Sequence, residues 1–160
     1  MPDLLVAATV IVALGCGLNA GVFFAFSSFV MKALDRLPAP EGIAAMQSIN
    51  VAALTPSFMT VLFGTAAACL GLAAWAIVDW HGSVSPWLLI GGALYVAGPI
   101  GLTAAYHQPR NLALATVQPR AREAESGWRR YVAQWTVLNH VRTLASLGAA
   151  ASLSVAAIAG

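Results

Sequence analysis

Four stretches of this chain are nearly unbroken hydrocarbon, at about residues 4–30, 56–80, 87–106 and 137–159. Each holds roughly 20 residues or more, the length a helix needs to cross a ~30 Å hydrocarbon core. The apolar positions run on without alternation, which argues against a transmembrane barrel, and helices satisfy their own backbone in lipid. The predicted fold is all-α, a single integral membrane domain over 1–160 built as a four-transmembrane-helix bundle. Between the first two spans a Leu-Pro-Ala-Pro turn at 37–40 is followed by Ile43, Met46, Gln47 and Asn50 at helical spacing. That spacing predicts a short interfacial helix over 41–51. The longer connector at 107–136 is expected to be helical. It should carry Arg120, Arg122, Glu123 and Glu125 on a solvated helix and Trp128, Tyr131 and Trp135 as one aromatic stripe at the membrane interface.

Charge placement gives the bundle a direction. All eight basic residues, Lys32 and Arg36 and then Arg110, Arg120, Arg122, Arg129, Arg130 and Arg142, lie in or beside the connectors after the first and third spans. Those two connectors share a side, so the positive-inside rule places them in the cytoplasm, with both termini and the 79–85 turn outside. The expected setting is a bacterial inner (plasma) membrane. Composition fits, at 59% hydrophobic and 9% charged residues with a mean hydropathy of +0.78. A net charge of +2 is too small to suggest nucleic acid, and the basic residues serve topology and attraction to anionic membrane lipid. The first span is not expected to be a signal peptide, because Asp3 precedes it, its apolar run is too long and the positive charges follow it.

Small residues within the spans, Gly17 and Gly21, then Gly64, Ala68 and Gly71, then Gly98 and Gly101, predict close helix packing and could support a homo-oligomer. Pro99 predicts a kink in the third span. Cys16 and Cys69 are expected at different depths, as buried free thiols.

Polar groups within or at the mouths of the spans gather toward the basic end. They are Asn19, Ser27 and Ser28; Gln47 and Asn50; Thr103, His107 and Asn111; and Asn139, His140 and Arg142. An unpaired amide or charge in hydrocarbon costs several kcal/mol, so such groups are functional candidates. Trp135, Asn139 and Arg142 share one helical face through their i, i+4, i+7 spacing. Arg142 either snorkels to lipid phosphates or turns inward, where its planar fork would bind a carboxylate, phenolate or oxyanion. His107 and His140 are the acid–base candidates at this level, His81 lying on the outer face. A haem or metal site would have to be built from His107 and His140 across two helices, with no HxxxH, HxxE or CxxC spacing behind it. Phe23 and Ser27 share a face with Asn19, which would give a cleft an aromatic wall and fixed polar groups.

Residues 21–31 (GVFFAFSSFVM), 42–50 (GIAAMQSIN), 56–64 (PSFMTVLFG), 108–114 (QPRNLAL) and 128–142 (WRRYVAQWTVLNHVR) together resemble the small four-helix membrane family that includes the anthrone oxygenases of polyketide biosynthesis. The most specific parts are the amide-containing turn at 109–111 and the W-x3-N-x2-R pattern at Trp135, Asn139 and Arg142. Gln108 and Arg110 depart from the family's Asn-x-Pro-Leu-Asn turn, which leaves Asn111 as the position carried over. The resemblance implies oxidation of a flat phenolic or anthrone-type molecule with neither metal nor organic cofactor. A deprotonated substrate would reduce dioxygen and the peroxide would collapse to a quinone. It would give His107 or His140 the role of base. Arg142, Asn139 and Asn111 would hold the anion, and Phe23, Trp128 and Trp135 the rings, in a site also lined by Asn19, Ser27 and Asn50. The residues equally suit a non-catalytic module that binds lipid or quinone in the same cleft, or scaffolds a membrane partner.

Overall fold

The computed structural model describes residues 2–121 and 124–160. Five helices carry them: α1 (Asp3–Asp35), α2 (Ala39–Ala52), α3 (Pro56–Val78), α4 (Ser85–Ala115) and α5 (Ala124–Ala159). No strand occurs among the described residues. Helices α1, α3, α4 and α5 are each long and apolar enough to cross a membrane. Local chemistry sets their starts. Pro56 takes the first position of α3 while the Thr55 hydroxyl accepts from the Phe58 N–H at 3.4 Å.

The four long helices form a ring in which α5 packs against α1 and α4, and α3 packs against α4 and α1. Helix α2 lies at the basic end, burying Ile43 and Met46 in a cluster with Met31, Leu34, Leu114 and Trp128. Gln47 on α2 donates from Nε2 to the Leu114 and Val117 carbonyls at 2.9 and 3.0 Å, tying α2 to the end of α4 and the turn after it.

The surface of the bundle is unlike that of a protein built for water. Ile11, Leu14, Leu18, Phe63, Leu70, Ile77, Leu144 and Leu147 are exposed, while Asn19, Ser27, His107, Asn139, Arg142 and Ser146 are buried. An apolar exterior of this extent is stable in hydrocarbon and not in water, and it marks an integral membrane protein.

Several expectations are corrected. Gly17, Gly21 and Gly71 face open space, and Gly64 meets only Thr60 of its own helix. The close approaches fall instead at Gly15 against Thr65, Gly91 against Leu153, Gly92 against the Cys69 carbonyl and, as expected, Gly98 against Ala145. Cys16 and Cys69 are level with each other, their sulfurs 4.0 Å apart in the fully buried core. The aromatic stripe does not form an interfacial belt, because Trp128, Tyr131 and Trp135 are buried. Arg120 lies in the turn before α5, and Glu125 in the first turn of α5, where it pairs with Arg129. Arg122 and Glu123 lie outside the described residues. Pro99 leaves its mark as a π-helical segment, Val96–Gly101.

Candidate functional site

Both helices that flank α5 depart from the α register near the basic end. Helix α1 has a π segment at Phe26–Val30, and α4 has a second one at Thr103–His107 beyond that around Pro99. A π turn carries an extra residue, so it re-aims the side chains beside it, and such segments are frequent at functional sites. Ser27 and His107 sit in them. Helix α5 is regular and presents Trp135, Asn139, Arg142 and Ser146 on one buried face.

These side chains converge. Asn139 donates from Nδ2 to the Phe23 carbonyl at 2.6 Å and to the Ser27 hydroxyl at 2.7 Å. The Arg142 guanidinium carbon lies 3.9 Å from the centre of the Phe23 ring, a cation–π contact worth about 2 kcal/mol or more when desolvated. Arg142 is 6% exposed, so the inward alternative holds and the snorkelling one does not. Tyr95, fully buried on α4, donates its hydroxyl to the Leu62 carbonyl at 3.2 Å and lies close enough to interact electrostatically with Arg142.

His107 is within the same electrostatic reach of Arg142. Its Nδ1 is 3.1 Å from the Leu102 carbonyl, and the Trp135 backbone carbonyl also comes near the ring, without a well-formed hydrogen bond to Nε2. A carbonyl can only accept, so Nδ1 carries the hydrogen and Nε2 keeps a lone pair. The imidazole stands edge-on to Trp135, with centroids 5.0 Å apart, and Phe26 packs on the same indole at 5.8 Å. Asn111 Oδ1 then accepts from both Trp135 Nε1 at 3.2 Å and the Tyr131 hydroxyl at 2.8 Å, fixing the wall between this cluster and the basic end.

Among the described residues, four polar atoms of the cluster find no hydrogen-bond partner: His107 Nε2, Arg142 Nε, Asn139 Oδ1 and Ser146 Oγ. Each belongs to a residue no more than 6% exposed. Buried polar groups are nearly always hydrogen-bonded, so a gathering of unmatched donors and acceptors points to a polar guest, a ligand or ordered water.

Other predicted site residues stand apart. His140 is exposed, on the side of α5 away from Asn139 and Arg142, so the geometry does not join it to His107 in a base pair or a metal or haem site. Asn19 is buried but turns toward α3, with Nδ2 2.9 Å from the Gly15 carbonyl and 3.5 Å from that of Val61. Asn50 lies beside the Tyr131 hydroxyl. Trp128 stacks on Tyr131 at 5.7 Å, and its indole closes against Gly42 of α2, where a Cβ would come within 2.9 Å of the ring. Of the phenylalanines on α1, Phe23 is buried while Phe24 and Phe29 face outward. Sequence reasoning passed over Ser146 and Tyr95. Ser146 was within reach, since it continues the 135, 139, 142 series by four. Tyr95 had no such signal, because only the packing of α4 on α5 brings it to Arg142.

A buried guanidinium, an imidazole with a free nitrogen and paired amides in the middle of four apolar helices define a membrane protein with an interior polar site. A sequence profile of the anthrone oxygenase family matches residues 56–152, and the chain belongs to that family. The matched region holds His107, Asn111, Trp135, Asn139 and Arg142; Phe23 and Ser27 come from α1, outside it. No curated protein and no solved structure matches the chain.

Proposed function

We propose that the protein oxidises a flat phenolic molecule of the anthrone or quinol type with dioxygen, in the buried cluster between α1, α4 and α5 and with neither metal nor flavin. His107 Nε2 takes the acidic proton of the ring methylene. The resulting carbanion is delocalised onto the ring carbonyl, whose growing charge falls to Arg142, while Asn139 Oδ1 accepts from a phenolic hydroxyl. Phe23 and Trp135 flank the rings. The carbanion reduces dioxygen, a C–O bond forms, and protonation gives a hydroperoxide. Loss of water, with the second methylene hydrogen, leaves the quinone. For an anthrone the net reaction is substrate plus dioxygen to quinone plus water, in which the methylene carbon supplies all four electrons; a quinol, with no such methylene, gives up two electrons and would yield quinone plus hydrogen peroxide.

The observation that carries this reading is that His107 Nε2 and Arg142 Nε are both unpaired in one buried, aromatic-walled cluster. Family membership supports it. Purified protein freed of metal and flavin should consume oxygen with an anthrone, and absence of uptake above the spontaneous rate would overturn the reading. A second reading, a non-catalytic module that holds a quinone or lipid in the same cleft, draws support from closure of the cluster. Phe23, His107 and Asn139 are at most 3% exposed, so a guest enters only if aromatic side chains move. Tight binding of a quinone without oxygen uptake would favour it. The orientation that goes with either reading puts the basic end in the cytoplasm.

A further inference from the structure

A cavity of about 550 Å³ opens at the basic end between the end of α4, the turn after it and the start of α5. Ile43, Leu114 and Val117 form its apolar wall, with Trp128 and Tyr131 beside them. Arg110 and Arg130 also line it, and among the described residues no Asp or Glu does. Neither arginine has a carboxylate partner among the described residues, in contrast to Arg129 one position away, which is tied to Glu125. Arg110 is held in place by the Tyr106 ring, its guanidinium carbon 3.5 Å from the centroid. The oxidation chemistry uses none of these groups.

We infer that this cavity binds the phosphodiester headgroup of an anionic phospholipid from the adjoining leaflet. Two guanidinium groups with no carboxylate partner among the described residues match phosphate oxygens, which they can grip bidentately. The apolar wall next to them suits the glycerol and the first acyl carbons. The cavity lies where the apolar length of the bundle gives way to its basic residues, the level at which a bilayer places its headgroups. Its volume takes a headgroup and the root of the chains while the tails run down the exposed apolar surface of the helices. A soluble phosphate would satisfy the arginines and leave that wall unused.

The test is native mass spectrometry of the full-length protein, delipidated in neutral detergent and offered phosphatidylglycerol or phosphatidylcholine with identical chains. At low salt the anionic lipid should be retained with a preference of roughly thirtyfold, as two arginines near a headgroup imply. The preference should shrink as salt is raised. Arg110→Gln with Arg130→Gln should bring phosphatidylglycerol down to the phosphatidylcholine level while helical content, read by circular dichroism, is unchanged. Should the double variant fail to fold, the lipid comparison and salt titration on the wild-type protein decide the matter alone. Equal retention of the two lipids overturns the proposal. So does retention of phosphatidylglycerol that the double variant leaves intact, or its displacement by equimolar glycerol 3-phosphate, which would make this a site for soluble phosphate.

Discussion

Arg142 meets the face of Phe23, not a carboxylate, with 3.9 Å between the guanidinium carbon and the ring centroid. An aromatic face stabilises the charge without occupying the in-plane N–H groups, and Nε is left unpaired. A carboxylate in the same place would have filled the fork. The contact therefore keeps a buried cation available to a guest. Arg142→Lys retains the charge and loses the planar stack. It should lower kcat/KM on an anthrone at least about tenfold while the protein still folds, with a thermal midpoint in detergent only a few degrees lower. Equal activity in the variant would show that the fork has no part in turnover.

Asn139 ties α5 to the π segment of α1 through two hydrogen bonds. Asn139→Leu removes both and leaves the Ser27 hydroxyl buried without them, so it should cost about 1–3 kcal/mol in reversible unfolding from mixed micelles. Ser27→Ala removes one bond together with its partner and should cost less. Equal losses for the two variants would contradict this account of the tie.

Gly98 leaves no room for a side chain, because a Cβ would run into that of Ala145 on α5, whereas Gly17 faces open space. Gly98→Val should destabilise the bundle by about 1–3 kcal/mol and Gly17→Val by no more than about 0.5 kcal/mol. Comparable losses in the two would mean that the face holding Gly17 is covered in the native assembly.

The split of basic residues predicts orientation. A reporter placed in the turn at 116–121 should be active on the cytoplasmic side, and one fused after Gly160 only on the outer side. The reverse pattern would invert the topology without altering the site.

The spans and α2 were legible because length, hydropathy and helical spacing are properties of single segments. The buried face of α5 was legible for the same reason, since Trp135, Asn139 and Arg142 follow one period. That period could also have separated the two histidines: His140 lies one residue, about 100°, round the helix from Asn139. The side that His107 presents was beyond such a reading, because two π segments shift the register of α4 before and at that residue. The meeting of Cys16 with Cys69 depends on how α1 and α3 align in depth, which neither segment encodes alone. The glycine contacts likewise depend on which faces the ring of helices turns inward. Gly17 and Gly21 have the spacing of a packing motif and no neighbour in this fold.

The most direct test of the central claim is the rate of anthrone-dependent oxygen uptake by His107→Gln and His140→Gln, side by side. Only His107 is buried within the cluster with a free nitrogen. His107→Gln should lose about 100-fold or more, the scale of a missing general base, and His140→Gln should keep nearly the wild-type rate. Rates that both variants leave unchanged, or a loss confined to His140→Gln, would contradict the assignment of His107 as the base.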